Sequence, residues 1–359
     1  MRKAVLVARL VLFGLVAAGG LYFWNEMQKP LYEPGMVRAG TNLRAPLAPP
    51  AQPAGGDFWL VEPDIKLYHF AAGTGTGVLV VHGGPGYPFA QPLPGLQPLT
   101  SHYRFYYYDQ RGSSKSSRPI DRFTSSNYYE NMQSLDRTLG LGAQLADIER
   151  IRRLLGEDRL ILVGHSFGGF LASLYAAEFP ERVRALVLVA PAETLVMPPP
   201  SGGLFEQVRT RLASNVQGEY DAYLKRYLDY GSLFSRNEAD LAALNTEFAR
   251  YYDLAARQKG FSVPAESSPG AGGGWMVQAM YMSMGLKHDY RPALKKVSAP
   301  VLVVHGGNDL QPEQASRMYA DAFPNSQFQV IAGAGHFVFS DKPAEFARVV
   351  GDFLAGVQQ

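Results

Sequence analysis

Residues Ile161–Leu171 read ILVGHSFGGFL. An apolar β-type run, 160–163, enters the turn Gly164-His165-Ser166-Phe167-Gly168, and after Gly169 a helical pattern runs from Phe170 to Pro180. A serine held between a buried strand and a helix is a nucleophile elbow. The turn is strained, and it pushes the hydroxyl out beyond the sheet. Glycines flank it because side chains there would collide where strand and helix leave the turn together. Gly-x-Ser-x-Gly by itself is a common string; the strand before it and the helix after it make it specific. Ser166 is the candidate nucleophile.

Outward from the elbow, strands are expected at 58–61, 65–70, 78–81, 103–108, 185–189, 301–304 and 328–331. Helices are expected at 141–155, 311–322 and 343–353. Such alternation implies a mostly parallel sheet with right-handed crossovers and helices on both faces. Gly73–Gly77 imitates a dinucleotide loop but precedes a strand, so it reads as a turn. The stretch 113–140 reads as a polar, aromatic loop. Residues 192–290 hold no strand pattern and four helical segments, near 203–214, 218–230, 237–258 and 275–286. That segment reads as an inserted helical cap, with a capping box at Ser235–Glu238 and a flexible glycine hinge at 270–274. The expected division is 57–191 and 300–359 as core, and 192–299 as cap.

The composition is that of an ordinary globular protein: 47% hydrophobic, 18% charged. A net charge of +2 gives no basis for a nucleic-acid partner. Arg150, Arg152 and Arg153 read as a solvated helix face. With no cysteine there is no disulfide, thiol nucleophile or thiolate metal site. No metal or organic cofactor is expected.

A serine nucleophile needs a base, and the base needs an acid to fix its tautomer. Of seven histidines, only His336 follows a late strand in a small-residue loop, Ala332-Gly333-Ala334-Gly335-His336. Asp309 follows the preceding strand. The order Ser166, Asp309, His336 suits this architecture. Asp309 could also cap the helix near Gln311, and Asp289 is a distant second candidate. The oxyanion donors are expected to be the N–H groups of Phe167 and of Gly84, in the loop after 78–81. His82 reads as a tie within that loop, and Tyr281, Met282 and Met284 chiefly as packing.

His82–Gly86 (HGGPG), Asp109–Gly112 (DQRG) and Asp147–Arg150 (DIER), with the elbow and the Asp309 and His336 loops, resemble the proline iminopeptidase family of α/β-hydrolases. The resemblance implies an α/β-hydrolase fold and a serine exopeptidase releasing an N-terminal residue, preferably proline. It implies that cap carboxylates hold the free amine. The elbow departs from the family's usual Gly-Gly-Ser-Trp-Gly, Ser114 replaces a usual glycine, and the cap lacks a Trp-Glu pair. Glu206, Glu219, Glu238, Glu247 and Glu266 are candidate amine anchors, though solvated helix charges are the simpler reading. The expected activity is an aminopeptidase of this type on small peptides; the alternative is a carboxylesterase or other small-acyl hydrolase.

Arg2 and Lys3 precede an apolar run, 4–24, interrupted only by Arg9. It reads as a single-pass anchor that leaves the catalytic domain outside the cytoplasm. A cleaved signal, giving a secreted or periplasmic enzyme, is the alternative. The proline-rich stretch 25–56 reads as a linker.

Overall fold

The computed structural model describes residues 28–264 and 272–357. Its strands are β1 (Phe58–Glu62), β2 (Ile65–Ala72), β3 (Thr76–Val81), β4 (Tyr103–Tyr108), β5 (Leu160–His165), β6 (Val183–Val189), β7 (Val196–Met197), β8 (His288–Asp289), β9 (Val301–Gly306) and β10 (Ser326–Ile331). The helices are α1 (Tyr128–Leu139), α2 (Leu141–Leu154), α3 (Phe167–Glu178), α4 (Gly203–Arg209), α5 (Ser214–Tyr227), α6 (Glu238–Gln258), α7 (Trp275–Met284), α8 (Arg291–Leu294), α9 (Glu313–Ala322), α10 (Val338–Asp341) and α11 (Pro343–Val357).

Eight strands form one sheet in the order β1-β2-β4-β3-β5-β6-β9-β10. Pairing is antiparallel at β1–β2 and β2–β4 and parallel from β4 to β10. The central strands bury both faces, which is why they read as continuous apolar runs. Alternate residues serve separate cores. Leu79, Val81, Leu160, Leu162, Leu186 and Leu188 pack on one face, and Val78, Val80, Ile161, Val163, Val187 and Val189 on the other. The chain is therefore an α/β-hydrolase fold.

At the elbow, a Cβ on Gly164 would lie 2.5 Å from the Gly168 carbonyl oxygen, and one on Gly168 would meet the backbone of Val81 and His82. Ser166 itself has φ +54° and ψ −122°. Such a conformation costs a non-glycine residue roughly 1–3 kcal/mol. Ser114, standing where the resembled family carries glycine, also has positive φ, +45°.

Several expectations are corrected. The stretch 113–140 is not all loop: α1 fills 128–139, capped by Asn127, whose side chain accepts the N–H groups of Tyr129 and Glu130. The capping box of α6 is Asn237 with Asp240, two residues later than expected. Between β6 and β9 a short antiparallel ribbon, β7–β8, joins the helices. Gly273 and Gly274 are buried, and a side chain on Gly273 would strike the Gly112 carbonyl, so this end of the glycine run is a tight contact; Gly270 and Ala271 lie outside the described residues.

Within the stretch 25–56, expected as a linker, residues 28–48 form a strap on the core, while 51–56 are exposed. The buried Glu178 carboxylate, at the end of α3, accepts Tyr32 Oη–H at 2.8 Å, Gly35 N–H at 2.7 Å and Arg38 N–H at 3.0 Å. Proline-rich sequence without periodicity hides such a strap, because its anchors are backbone amides. The membrane expectation is corrected too. Among the described residues no helix is long and apolar enough to cross a membrane. The run 4–24 that motivated an anchor or cleaved signal lies outside the described residues, and the localisation built on it is withdrawn.

Arg150 and Arg152 are buried, not a solvated face. Arg111 donates from Nε and Nη2 to Asp147, both at 2.6 Å, and from Nη2 to Glu62 at 2.7 Å. Arg150 Nη1 donates to Glu62 and Asp147 at 3.0 and 3.1 Å, and its Nη2 to the strap carbonyl of Ala45 at 2.8 Å. Arg111 and Arg150 balance Glu62 and Asp147 in a buried cluster, with the partly exposed Arg44 at its margin 3.7 Å from Glu62. The DQRG and DIER motifs thus hold β1, the loop after β4, α2 and the strap together. Arg111→Ala leaves buried carboxylates uncompensated, and we expect it to cost about 3–5 kcal/mol of stability. Urea unfolding measures it; a loss below about 1 kcal/mol would mean that solvent already screens the cluster.

Candidate active site

Ser166, Asp309 and His336 follow β5, β9 and β10, at the carboxyl ends of parallel strands, where ligands bind in open α/β sheets. His336 Nδ1 stands 2.8 Å from Asp309 Oδ2. Asp309 Oδ1 accepts the N–H of Gln311 at 3.0 Å, so the pairing and local capping roles coexist. Gln311 Nε2 also lies 3.4 Å from His336 Nδ1. A ring nitrogen that gives its proton to the carboxylate cannot accept another, so this is a contact and not a bond. Nδ1 is the protonated nitrogen and Nε2 is free to accept. Asp289, the second candidate acid, forms an ion pair with Arg291 instead.

Ser166 and His336 line one cavity of about 560 Å³, together with Gly83, Gly84, Tyr87 and Phe89. Gly83 presses on the elbow: a Cβ there would lie 2.7 Å from Ser166 Cβ and 3.3 Å from the Phe167 nitrogen. Among the described residues neither Gly84 N–H nor Phe167 N–H donates to a backbone carbonyl. Gly84 lines the same cavity as Ser166 and Phe167 follows the serine in the chain, so both amides remain candidates for a developing oxyanion.

His82 Nε2 accepts the N–H of Gln110 at 3.0 Å, and Nδ1 faces the Gly83 carbonyl at 3.0 Å. Both nitrogens are thus used as the neutral ring requires, and burial pushes its pKa down to about 4. An unfolded histidine titrates near 6.5, so His82 contributes stability above that pH which is lost as pH falls from 6.5 towards 4. The loss is on the order of 3 kcal/mol. His82→Asn is expected to flatten the fall in unfolding free energy over that window. An unchanged fall would assign it to other buried histidines.

His165, before the serine, makes a contact that the sequence alone did not show. Burial, and next the His336 ring, hold its imidazole well below the usual histidine range. Its Nε2 donates to the His336 carbonyl at 3.0 Å, and its ring packs 5.0 Å from Phe339. The elbow thereby grips the backbone of the His336 loop.

The far wall is helical and largely aromatic, with Tyr227, Phe248, Tyr252 and Tyr281; the cavity's charged residues besides histidine are Arg250, Asp253 and Arg257. Tyr281 lines the space, whereas Met284 is buried in the core. None of Glu206, Glu219, Glu238 and Glu247 lines the cavity. Glu219 pairs with Arg250 and Glu247 with Arg226. Glu238 caps α7, accepting the N–H groups of Gly274 and Trp275, both at 2.8 Å. Glu266 lies outside the described residues. Among the described residues no cluster of three or more His, Asp or Glu is placed to hold a metal.

Comparison with known proteins agrees with the fold. A family model described as the alpha/beta hydrolase fold matches residues 77–343. The chain is 27% identical over 296 residues to a proline iminopeptidase of Heyndrickxia coagulans, covering 79% of this chain and 92% of that one. It is 27% identical over 289 residues to a proline iminopeptidase of Lactobacillus delbrueckii subsp. bulgaricus, covering 77% and 89%. A solved esterase from Thermogutta terrifontis superposes with TM-score 0.52 at 22% identity, covering 82% of this chain and 95% of that one, a likeness of fold. The family match spans the sheet from β3 to the His336 loop, and with it the chain belongs to the α/β hydrolase fold family.

Proposed function

We propose that the protein is a serine hydrolase that works through an acyl-enzyme on small, uncharged esters. Ser166 Oγ adds to the substrate carbonyl carbon as His336 Nε2 takes its proton. Asp309 keeps Nδ1 protonated and stabilises the imidazolium. The N–H groups of Gly84 and Phe167 receive the oxyanion. His336 then returns the proton to the leaving oxygen as the C–O bond breaks. Water, deprotonated by His336, adds to the acyl-serine, and collapse releases the acid and restores Ser166.

The charge of the cavity carries the ester reading. Among the described residues its one carboxylate, Asp253, is already engaged by Arg257 at 2.7 Å. Arg250 is paired with Glu219, so a substrate ammonium would meet, among the described residues, two matched ion pairs and no spare anion. The second reading, an aminopeptidase of the proline iminopeptidase type, is favoured by the curated relatives and by the HGGPG and DQRG motifs. Turnover of short-chain aryl esters and of prolyl and alanyl arylamides by the whole chain separates the two. Ester cleavage without arylamide cleavage is expected. Release of arylamine only from substrates with a free amino end would overturn the ester reading in favour of the peptidase.

A further inference from the structure

The loop after β3, which carries Gly84, is held from two sides. Towards the elbow, Gly83 has no room for a side chain against Ser166 and Phe167. Towards the helices, a Cβ on Gly86 would lie 3.1 Å from Met276 Sδ and 3.4 Å from the Gly273 nitrogen, so the loop also rests on the start of α7. Tyr87 reaches furthest. Its Oη donates to the Asn245 carbonyl, inside α6, at 2.9 Å. Its backbone N–H donates to the Gly83 carbonyl at 3.0 Å, which closes the loop on itself. Its ring covers Gly84, where a Cβ would meet Tyr87 Cδ2 at 2.6 Å.

Gly84 is exposed, whereas Gly83, Pro85 and Gly86 around it are buried. It has φ +116°, and glycine is the residue with the most backbone freedom to lose such a conformation. With no backbone carbonyl taking its N–H, this peptide is held by what flanks it. An oxyanion donor works only when its position is fixed beforehand, to within about 0.5 Å. The far end of the Tyr87 bond is itself a fixed point. A carbonyl within a helix keeps a second lone pair for an outside donor. The turn of α6 that offers it is pinned by Asn245 Nδ2, which donates to the Gly273 carbonyl at 2.6 Å.

We propose that Tyr87 is a positioning residue for the oxyanion: its hydroxyl bond to α6 keeps its ring on Gly84 and so holds the Gly84 amide in place beside Ser166. This rests on the serine hydrolase reading and on Gly84 as one of its two donors. The helical layer then belongs to the catalytic frame, because the oxyanion site takes its shape only with α6 seated.

Tyr87→Phe removes the hydroxyl and nothing else. The whole chain is assayed on 4-nitrophenyl butanoate, with rates taken per titrated active site so that unfolded protein drops out. The Ki of an alkyl trifluoromethyl ketone, which adds Ser166 Oγ to its carbonyl carbon and leaves a full oxyanion, is read beside them. We expect kcat to fall about tenfold and Ki to rise by a similar factor. That is less than the hundredfold or more lost when a donor is deleted, because the amide is loosened and not removed. Acylation and deacylation both pass through an oxyanion and slow together, so KM should stay within about twofold. Tyr251→Phe is the control: it also deletes a hydroxyl bond of α6, to Glu219 at 3.1 Å, but away from the cavity lining. Unchanged kcat and Ki in Tyr87→Phe overturn the proposal. A raised KM at constant kcat does so too, since it makes Tyr87 only a wall of the binding site. Equal losses in both variants would assign the effect to a generally loosened helix and also overturn it. Ester turnover that survives Ser166→Ala is a separate result, which overturns the serine hydrolase reading itself.

Discussion

Ser166→Ala should lower kcat by about a million-fold on whatever substrate the protein turns over. The loss corresponds to roughly 8 kcal/mol of transition-state stabilisation. It is so large because no second nucleophile stands at the elbow: His336 Nδ1 is committed to Asp309, and His165 Nε2 to a carbonyl. What survives is the contribution of the oxyanion donors and of binding, about a thousandfold over water. The substitution leaves the fold in place, since alanine meets the same positive φ that serine does. Steady-state kcat and intact mass after exposure to an acylating ester check it together. A covalent adduct on the alanine variant, or a loss under about a thousandfold, would place the nucleophile elsewhere.

Asp309→Asn should cost about ten-thousandfold in kcat while leaving the melting temperature nearly unchanged. The direction follows from the hydrogen bonds at both carboxylate oxygens. Oδ1 accepts the Gln311 N–H and Oδ2 accepts from His336 Nδ1. An amide has only one oxygen for these two donors. The backbone N–H of Gln311 cannot change its sense, so it keeps the oxygen, and the new NH₂ faces His336. Nδ1 must then give up its proton and accept, which moves the ring proton to Nε2 and leaves nothing to take the serine proton. A loss smaller than tenfold would show that Asp309 orients the ring without fixing its tautomer.

Much of the site was legible because its signals are local. The elbow needs eleven consecutive residues, and Asp309 and His336 each end an apolar strand in a short loop. The gap is wider where function depends on contact between distant segments. Arg111, Glu62, Asp147 and Arg150 come from three stretches whose nearness depends on strand order, so Arg150 looked like one more surface charge. Helix α1 buries Asn131, Asp136 and Thr138 beside its leucines, which blurs the apolar stripe. Its start signal, Asn127 with Glu130 three residues on, was present and could have found it. Nothing in the sequence distinguishes Phe248 or Tyr252, which line the cavity, from the other aromatic residues of a long amphipathic helix.

The strap over residues 28–48 also has a mechanical side. At one end the Ser283 carbonyl, on α7, accepts the N–H groups of Leu31 and Tyr32; at the other the same tyrosine reaches Glu178 on α3. It works as a clasp between α7 and α3, which packs on the central strands β3, β5 and β6. Each bond is worth only about 1 kcal/mol, yet lifting α7 breaks them as a set. Widening the cavity by lifting α7 therefore has to break this set of bonds. An enzyme cut to start at Asp57 would be without that restraint on α7.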